Sequence, residues 1–106
     1  MKKVKVLRLS GCPHCRSFIT ALDDLGITYT SIDANDNGKL ADEVELLLDT
    51  YIYPIVIVTT PDTKTYLHLA DNSAELGYYP LNYQVSKIAC ATTDEMVEQL
   101  KTLLNN

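Results

Sequence analysis

The sequence has no tryptophan, one phenylalanine, and only four glycines and four prolines in 106 residues. It contains no internal repeat, low-complexity tract or linker, so nothing divides the chain, and residues 1–106 read as one domain. Basic residues are also in short supply, with nine Lys and Arg against fourteen Asp and Glu and a formal net charge of -5. That balance leaves no electrostatic footprint for phosphate backbones or anionic lipid, which excludes nucleic acid as a partner. No apolar run approaches the roughly 18 residues of a membrane span. The opening MKKVKVLRL is basic and then apolar, but Lys5 and Arg8 interrupt it, so it reads as a strand and not as an export signal. A cytoplasmic location is therefore expected. Three cysteines, an odd number, argue against a structural disulfide framework and toward metal or redox chemistry.

The remaining composition is that of an ordinary globular chain, 46% hydrophobic and 22% charged. The alternating VKVLRL (4–9) predicts a strand that runs into Ser10 and Gly11. Directly after it, SGCPHCRSF (10–18) sets Cys12 and Cys15 two residues apart around Pro13 and His14. Phe18, Ile19, Leu22 and Leu25 then recur at helical spacing until Gly26 supplies a stop. ITYTSID (27–33) predicts a second strand, and ANDNG a loop. A second helix is expected over 39–50, with Leu40, Val44, Leu47 and Leu48 on its buried face. YPIVIV (53–58), opened by Pro54, reads as a buried strand, and TYLHLA (65–70) as its hairpin partner. Residues 71–87 show no sustained period and carry three of the seven tyrosines. They form either an insertion after the fourth strand or the loop of a longer hairpin in which YQVSKIA is the return strand. Finally, Thr92 and Glu95 make a capping box ahead of Val97, Leu100, Leu103 and Leu104, which predicts a closing helix. The expected architecture is α/β, in the order β-α-β-α-β-β-α, a four-stranded mixed sheet flanked by three helices.

The chemistry follows from where the cysteine pair falls. Cys12 stands where a strand ends and a helix begins, so the unpaired amides and partial positive charge of a helix N-terminus favour its thiolate. Pro13 suits the first helical turn because its missing N–H would be unsatisfied there in any case. His14, when protonated, adds a cation, and Cys15, one turn further on, is placed to attack a mixed disulfide on Cys12. The alternatives are a zinc half-site or two inert thiols. Zinc normally takes four ligands, and only Cys90, His14 and His68 remain, without a second tight pair. Cys90 reads as a small packed hydrophobe and His68 as a half-exposed structural residue. Tyr66, Tyr78, Tyr79 and Tyr83 make either a protein-docking face or a satellite cluster under a long loop.

Cys-Pro-x-Cys after the first strand, the order of elements, and Pro54 about forty residues on at the start of an apolar strand resemble the glutaredoxin family of the thioredoxin-like fold. The Trp-Cys-Gly-Pro-Cys of thioredoxin itself is absent. The resemblance implies a thiol–disulfide oxidoreductase in which Cys12 is the nucleophile and Cys15 resolves. It also implies a cis bond before Pro54, with the backbone of Tyr53 pairing with the bound thiol, and places Tyr51 or Tyr53 close to the cysteines. Glutathione is the reductant it implies, held by a Gly-Gly-x-Asp pattern at the last helix. Here ATTDE (91–95) keeps Asp94, preceded by Thr93, with Ala91 and Thr92 in place of both glycines. Leu9 stands where the family carries a lysine for a glutathione carboxylate, Arg8 points to the other face of its strand, and Arg16 becomes the candidate cation. The Pro-His dipeptide matches DsbA-type oxidants, which predicts a couple between about -230 and -120 mV. The implied partners are glutathione, a thioredoxin reductase-like donor, and protein disulfides such as that of ribonucleotide reductase, engaged by a monomer. No metal is expected, although some family members hold an iron–sulfur cluster across a dimer, mostly through a single-cysteine motif. The competing class is a non-catalytic thioredoxin-like binding module or a metal-binding domain.

Overall fold

A computed structural model describes residues 1–105. Strand β1 (Lys3–Arg8) leads to helix α1 (Pro13–Asp24), β2 (Thr30–Asp33), α2 (Gly38–Leu48), β3 (Ile55–Thr59) and β4 (Lys64–Leu69). A short 3-10 turn (Ser73–Glu75), β5 (Gly77–Pro80), β6 (Val85–Cys90) and α3 (Thr93–Leu104) complete the chain. The fold is the thioredoxin-like α/β arrangement with three helices, but its sheet has six strands where four were expected, in the order β2-β1-β3-β4-β6-β5. β1 pairs parallel with β2 and antiparallel with β3, and β3 pairs antiparallel with β4.

Two cores hold the layers together. On one face, Val4, Val6, Val56, Val58 and Leu67 of the sheet pack with Phe18 and Leu22 of α1 and with Met96, Val97 and Leu100 of α3. On the other, Leu7, Ile55, Ile57 and Tyr66 pack with Ala41, Val44 and Leu48 of α2. β3 therefore buries both its faces, which is why YPIVIV is an unbroken apolar run and not an alternating one. Thr92 Oγ1 accepts from the amide of Glu95 at 3.1 Å while the Glu95 carboxylate accepts from Ala91 N–H at 2.9 Å, so two amides at the start of α3 are satisfied.

Several local expectations shift. Helix α2 is rotated so that Ala41, Val44 and Leu48 face the sheet while Leu47 lies largely outside. Leu25 follows the last turn of α1 and is 51% exposed, because Gly26, at φ +69°, turns the chain away before that residue can reach the core. Met96, absent from the expected apolar face of α3, is fully buried.

Residues 71–87, whose structure had two readings, provide the extra strands. Asn72 Oδ1 caps the 3-10 turn by accepting from Ala74 N–H at 2.9 Å. Asn82 Oδ1 accepts from the amides of Gln84 and Val85 at 2.8 and 2.9 Å, closing the turn between β5 and β6. β6 is a return strand as the second reading had it, but its antiparallel partner is β5, and it lies parallel to β4. Tyr66 stands apart from the other tyrosines read as either a docking face or a satellite cluster, being buried against α2, whereas Tyr78 and Tyr83 are exposed.

The helix register gives a contrast to measure. Phe18→Ala should lower unfolding free energy by about 3–5 kcal/mol, and Leu25→Ala by no more than about 0.5 kcal/mol, in urea titrations of the two variants.

Candidate active site

The carboxyl end of β1 is turned into α1 by Ser10 and Gly11, and Gly11 sits at φ +74°, a conformation that other L-residues adopt at a cost. Cys12 follows as the N-cap of α1 with extended backbone, and Pro13 fills the first helical position. The Cys12 Sγ accepts a hydrogen bond from the Cys15 amide at 3.2 Å, so sulfur takes the place of a Ser or Asp oxygen in satisfying an orphan helix amide. The amide and the helix N-terminus both direct partial positive charge at that sulfur.

Cys15 is in a different environment. It is only 2% exposed, within the core beside α2, whereas Cys12 is partly open to solvent. Burial first, and then hydrogen bonding and repulsion from Cys12, push the Cys15 thiol up to about 12, against an opposing pull from the Leu9 backbone and Arg8. All three cysteines are free thiols. One thiol is partly open to solvent and capped by an amide, and the other is buried and holds its proton.

The loop between α2 and β3 forms the opposite wall. The Tyr53–Pro54 peptide bond is cis. The Cys12 thiol faces the Tyr53 carbonyl oxygen at 3.8 Å. The Tyr53 side chain turns inward, and its hydroxyl donates to Glu45 Oε2 of α2 at 2.5 Å. Burial, and next the Glu45 carboxylate, push the phenol well above its ordinary range, so it stays a donor. Glu45 was not legible as a site residue, because its role depends on Tyr53 pointing back at α2.

The other candidates are divided. His14 and Thr93 line one cavity of about 240 Å³, together with Ile52, Ala70 and Asp71. Asp94 lines a different cavity, with Leu76, Tyr78 and Cys90. Arg16 is exposed on α1 and does not line the cavity that holds His14 and Thr93. Arg8 donates to Ser31 Oγ at 2.6 Å and pairs with Asp33 at 3.6 Å across β1 and β2. Tyr51 is exposed on the loop before Tyr53. Cys90 is buried, and desolvation pushes its thiol up to about 11. His68 is buried, not half-exposed. Among the described residues, no group of three or more His, Cys, Asp and Glu is arranged to hold a metal ion, and no helix is long and apolar enough to cross a membrane.

Cys15 and Cys90 both hold their protons more tightly folded than unfolded. The stability this contributes is whole below about pH 9 and is lost as pH rises toward 11 and then 12. Urea midpoints of the dithiol form should therefore fall from pH 9 upward, and fall less steeply in a Cys15→Ser, Cys90→Ser variant.

Comparison with known proteins places these features in a family. The glutaredoxin family model matches residues 2–60, a span that runs from β1 through β3 and contains Cys12, Cys15 and Pro54. No curated protein gives a significant match to the chain. The matched span is more than half the sequence and carries the cysteine pair at the head of α1 and the proline that faces it: the chain belongs to the glutaredoxin family, whose general function is of the thiol–disulfide oxidoreductase kind.

Proposed function

We propose that the chain is a glutaredoxin-like thiol–disulfide oxidoreductase that reduces protein or glutathione mixed disulfides by dithiol exchange through Cys12 and Cys15. One observation carries this reading: the Cys12 sulfur receives the Cys15 amide at a helix N-terminus and faces the backbone before Pro54. The Cys12 thiolate attacks one sulfur of the substrate disulfide. The first substrate thiolate leaves and takes a proton, and the second stays joined to Cys12. The bound sulfur then lies against the Tyr53 backbone, which Glu45 holds in place through the phenol.

Resolution depends on Cys15 losing the proton it has held. Two of the causes that keep that proton on are the hydrogen bond to Cys12 and the charge of Cys12. Both disappear once Cys12 is tied up in a mixed disulfide, so forming the intermediate itself makes Cys15 easier to ionise. Cys15 then attacks the Cys12 sulfur and the second substrate thiolate leaves. Two electrons have passed to the substrate, and Cys12 and Cys15 are bridged. Two glutathione thiols can return the pair to the dithiol and leave as glutathione disulfide. The Thr93 and His14 cavity supports a glutathione site, while Asp94 and Arg16 lie away from it, so binding there is expected to be weak. A cytoplasmic setting, whose glutathione pool is reducing, fits a protein used in its dithiol form.

Cys12→Ser should abolish reduction of glutathionylated hydroxyethanethiol. Cys15→Ser should keep turnover with glutathione but accumulate a covalent complex with a protein disulfide, visible on non-reducing gels. The electron donor is settled by comparing glutathione plus its reductase with a thioredoxin reductase system. Faster turnover with glutathione is expected. Inactivity with both, with intact Cys12 and Cys15, would reject the enzyme reading.

A further inference from the structure

A second cavity, of about 570 Å³, adjoins the one lined by His14, and the two share Ile52, Leu69, Ala70 and Asp71. Its outer wall is built by the segment after β4, through Asn72, Glu75 and Tyr79, and Lys87 of β6 closes it. Most of that wall lies outside the span shared with the family model. Building on the exchange reaction above, we propose that this cavity is a substrate subsite that takes the lysine or arginine side chain of a polypeptide whose disulfide is reduced at Cys12.

Charge is the first argument. Asp49, Asp71 and Glu75 line the cavity against the single ammonium of Lys87. That ammonium is already directed elsewhere: its Nζ donates to Leu48 O, at the end of α2, at 3.5 Å, and lies 5.4 Å from the centroid of the Tyr79 ring. Asp49, Asp71 and Glu75 are exposed residues that outnumber that ammonium, which disfavours an anionic guest and favours a cationic one.

His68 is the second argument, and it is independent of the first. It forms part of the cavity wall and is 4% exposed. Its Nδ1 lies 3.0 Å from Leu69 O. A carbonyl only accepts, so the ring proton sits on Nδ1 and Nε2 is a bare acceptor. Burial pushes the imidazole pKa down, which keeps the ring neutral. Nε2 has no partner among the described residues. Nε2 is thus an acceptor within the wall in want of a donor, and a guest rich in N–H donors that presses into the wall is the kind that supplies one. Carboxylates and an orphan acceptor both call for a donor-bearing cation. Continuity supplies the third argument, because the residues shared by the two cavities let one peptide reach both. A chain with its cysteine at Cys12 can extend a neighbouring side chain past Ile52 and Ala70 into this space.

The test is a single-turnover reaction of the dithiol protein, which needs no external reductant because Cys12 and Cys15 supply both electrons. Three substrates are compared, each a mixed disulfide with 2-mercaptoethanol: a cysteine peptide flanked by lysines, the same peptide flanked by glutamates, and 2-mercaptoethanol itself. The lysine peptide should react about fivefold faster than the glutamate peptide, and the preference should vanish in about 1 M salt, where the Debye length is about 3 Å. In an Asp49→Asn, Glu75→Gln variant the preference should fall to about one, with the neutral disulfide reacting at the wild-type rate, as screened charge pairs of this size predict. Asn tolerates the left-handed backbone of Asp49, at φ 53°, so the variant keeps the turn after α2. Equal rates for the two peptides in the wild type, a glutamate preference, or a lysine preference undiminished in the variant would overturn the subsite. Failure of the neutral disulfide as well would overturn the exchange reaction, and the subsite with it.

Discussion

The hydrogen bond from the Cys15 amide to the Cys12 sulfur is the contact on which the rest of the site depends. A helix begins with amides that nothing inside the helix can satisfy, and most proteins meet that need with an oxygen. Here a sulfur meets it, so the same bond that starts α1 also holds the Cys12 sulfur in place. The motif is then self-consistent at each position. Gly11 makes the turn, Pro13 needs no donor, and Cys15 offers the amide above while its own thiol sinks into the core below. A one-residue shift of the cap would separate the sulfurs and expose the buried thiol.

The facing wall is fixed by a different layer. α1 packs with α3 on one side of the sheet, and α2 packs on the other. Tyr53 belongs to the α2 core, and its phenol is anchored to Glu45, yet its carbonyl faces Cys12. The distance between the Cys12 sulfur and the Tyr53 carbonyl is thus set across the sheet. Packing errors in α2 would be felt at Cys12 although no α2 side chain hydrogen-bonds to it.

Much of this was legible in the sequence wherever local chemistry and global packing agree. The cysteine pair at a strand-to-helix junction, the apolar run after Pro54 and the Thr92–Glu95 box each carry their own physical signature, and each lies where it was expected. Leu25 and Leu47 misled because an apolar residue keeps the helical period whether or not a partner surface exists for it, and rotation or a turn at Gly26 decides the matter. Residues 71–87 were opaque for another reason. β5 is a four-residue edge strand with most of its side chains in water, so selection for alternation is weak, and the turns around it use the Asn72 and Asn82 side chains together with Gly77 at φ +124°. Glu45 and His68 were hidden because the Glu45–Tyr53 hydrogen bond and the burial of His68 arise only in the folded state.

How the chain accommodates those two extra strands explains why the site survives them. The segment leaves the sheet after Leu69 and returns as β6, and the Ala70 amide donates to Cys90 O at 2.9 Å. Exit and re-entry are neighbours, both at the edge of the cavity that His14 lines. Since β6 runs parallel to β4, the chain reaches the end of β6 travelling in the direction in which it left β4, one strand over. α3 can therefore start at Thr93 with Met96 and Leu100 in the same core as Phe18. An insertion entering and leaving at distant points would have pulled the start of α3 away from the cysteines. With its ends adjacent, the added segment extends the sheet and the rim beside the cysteine motif while the packing beneath that motif stays continuous.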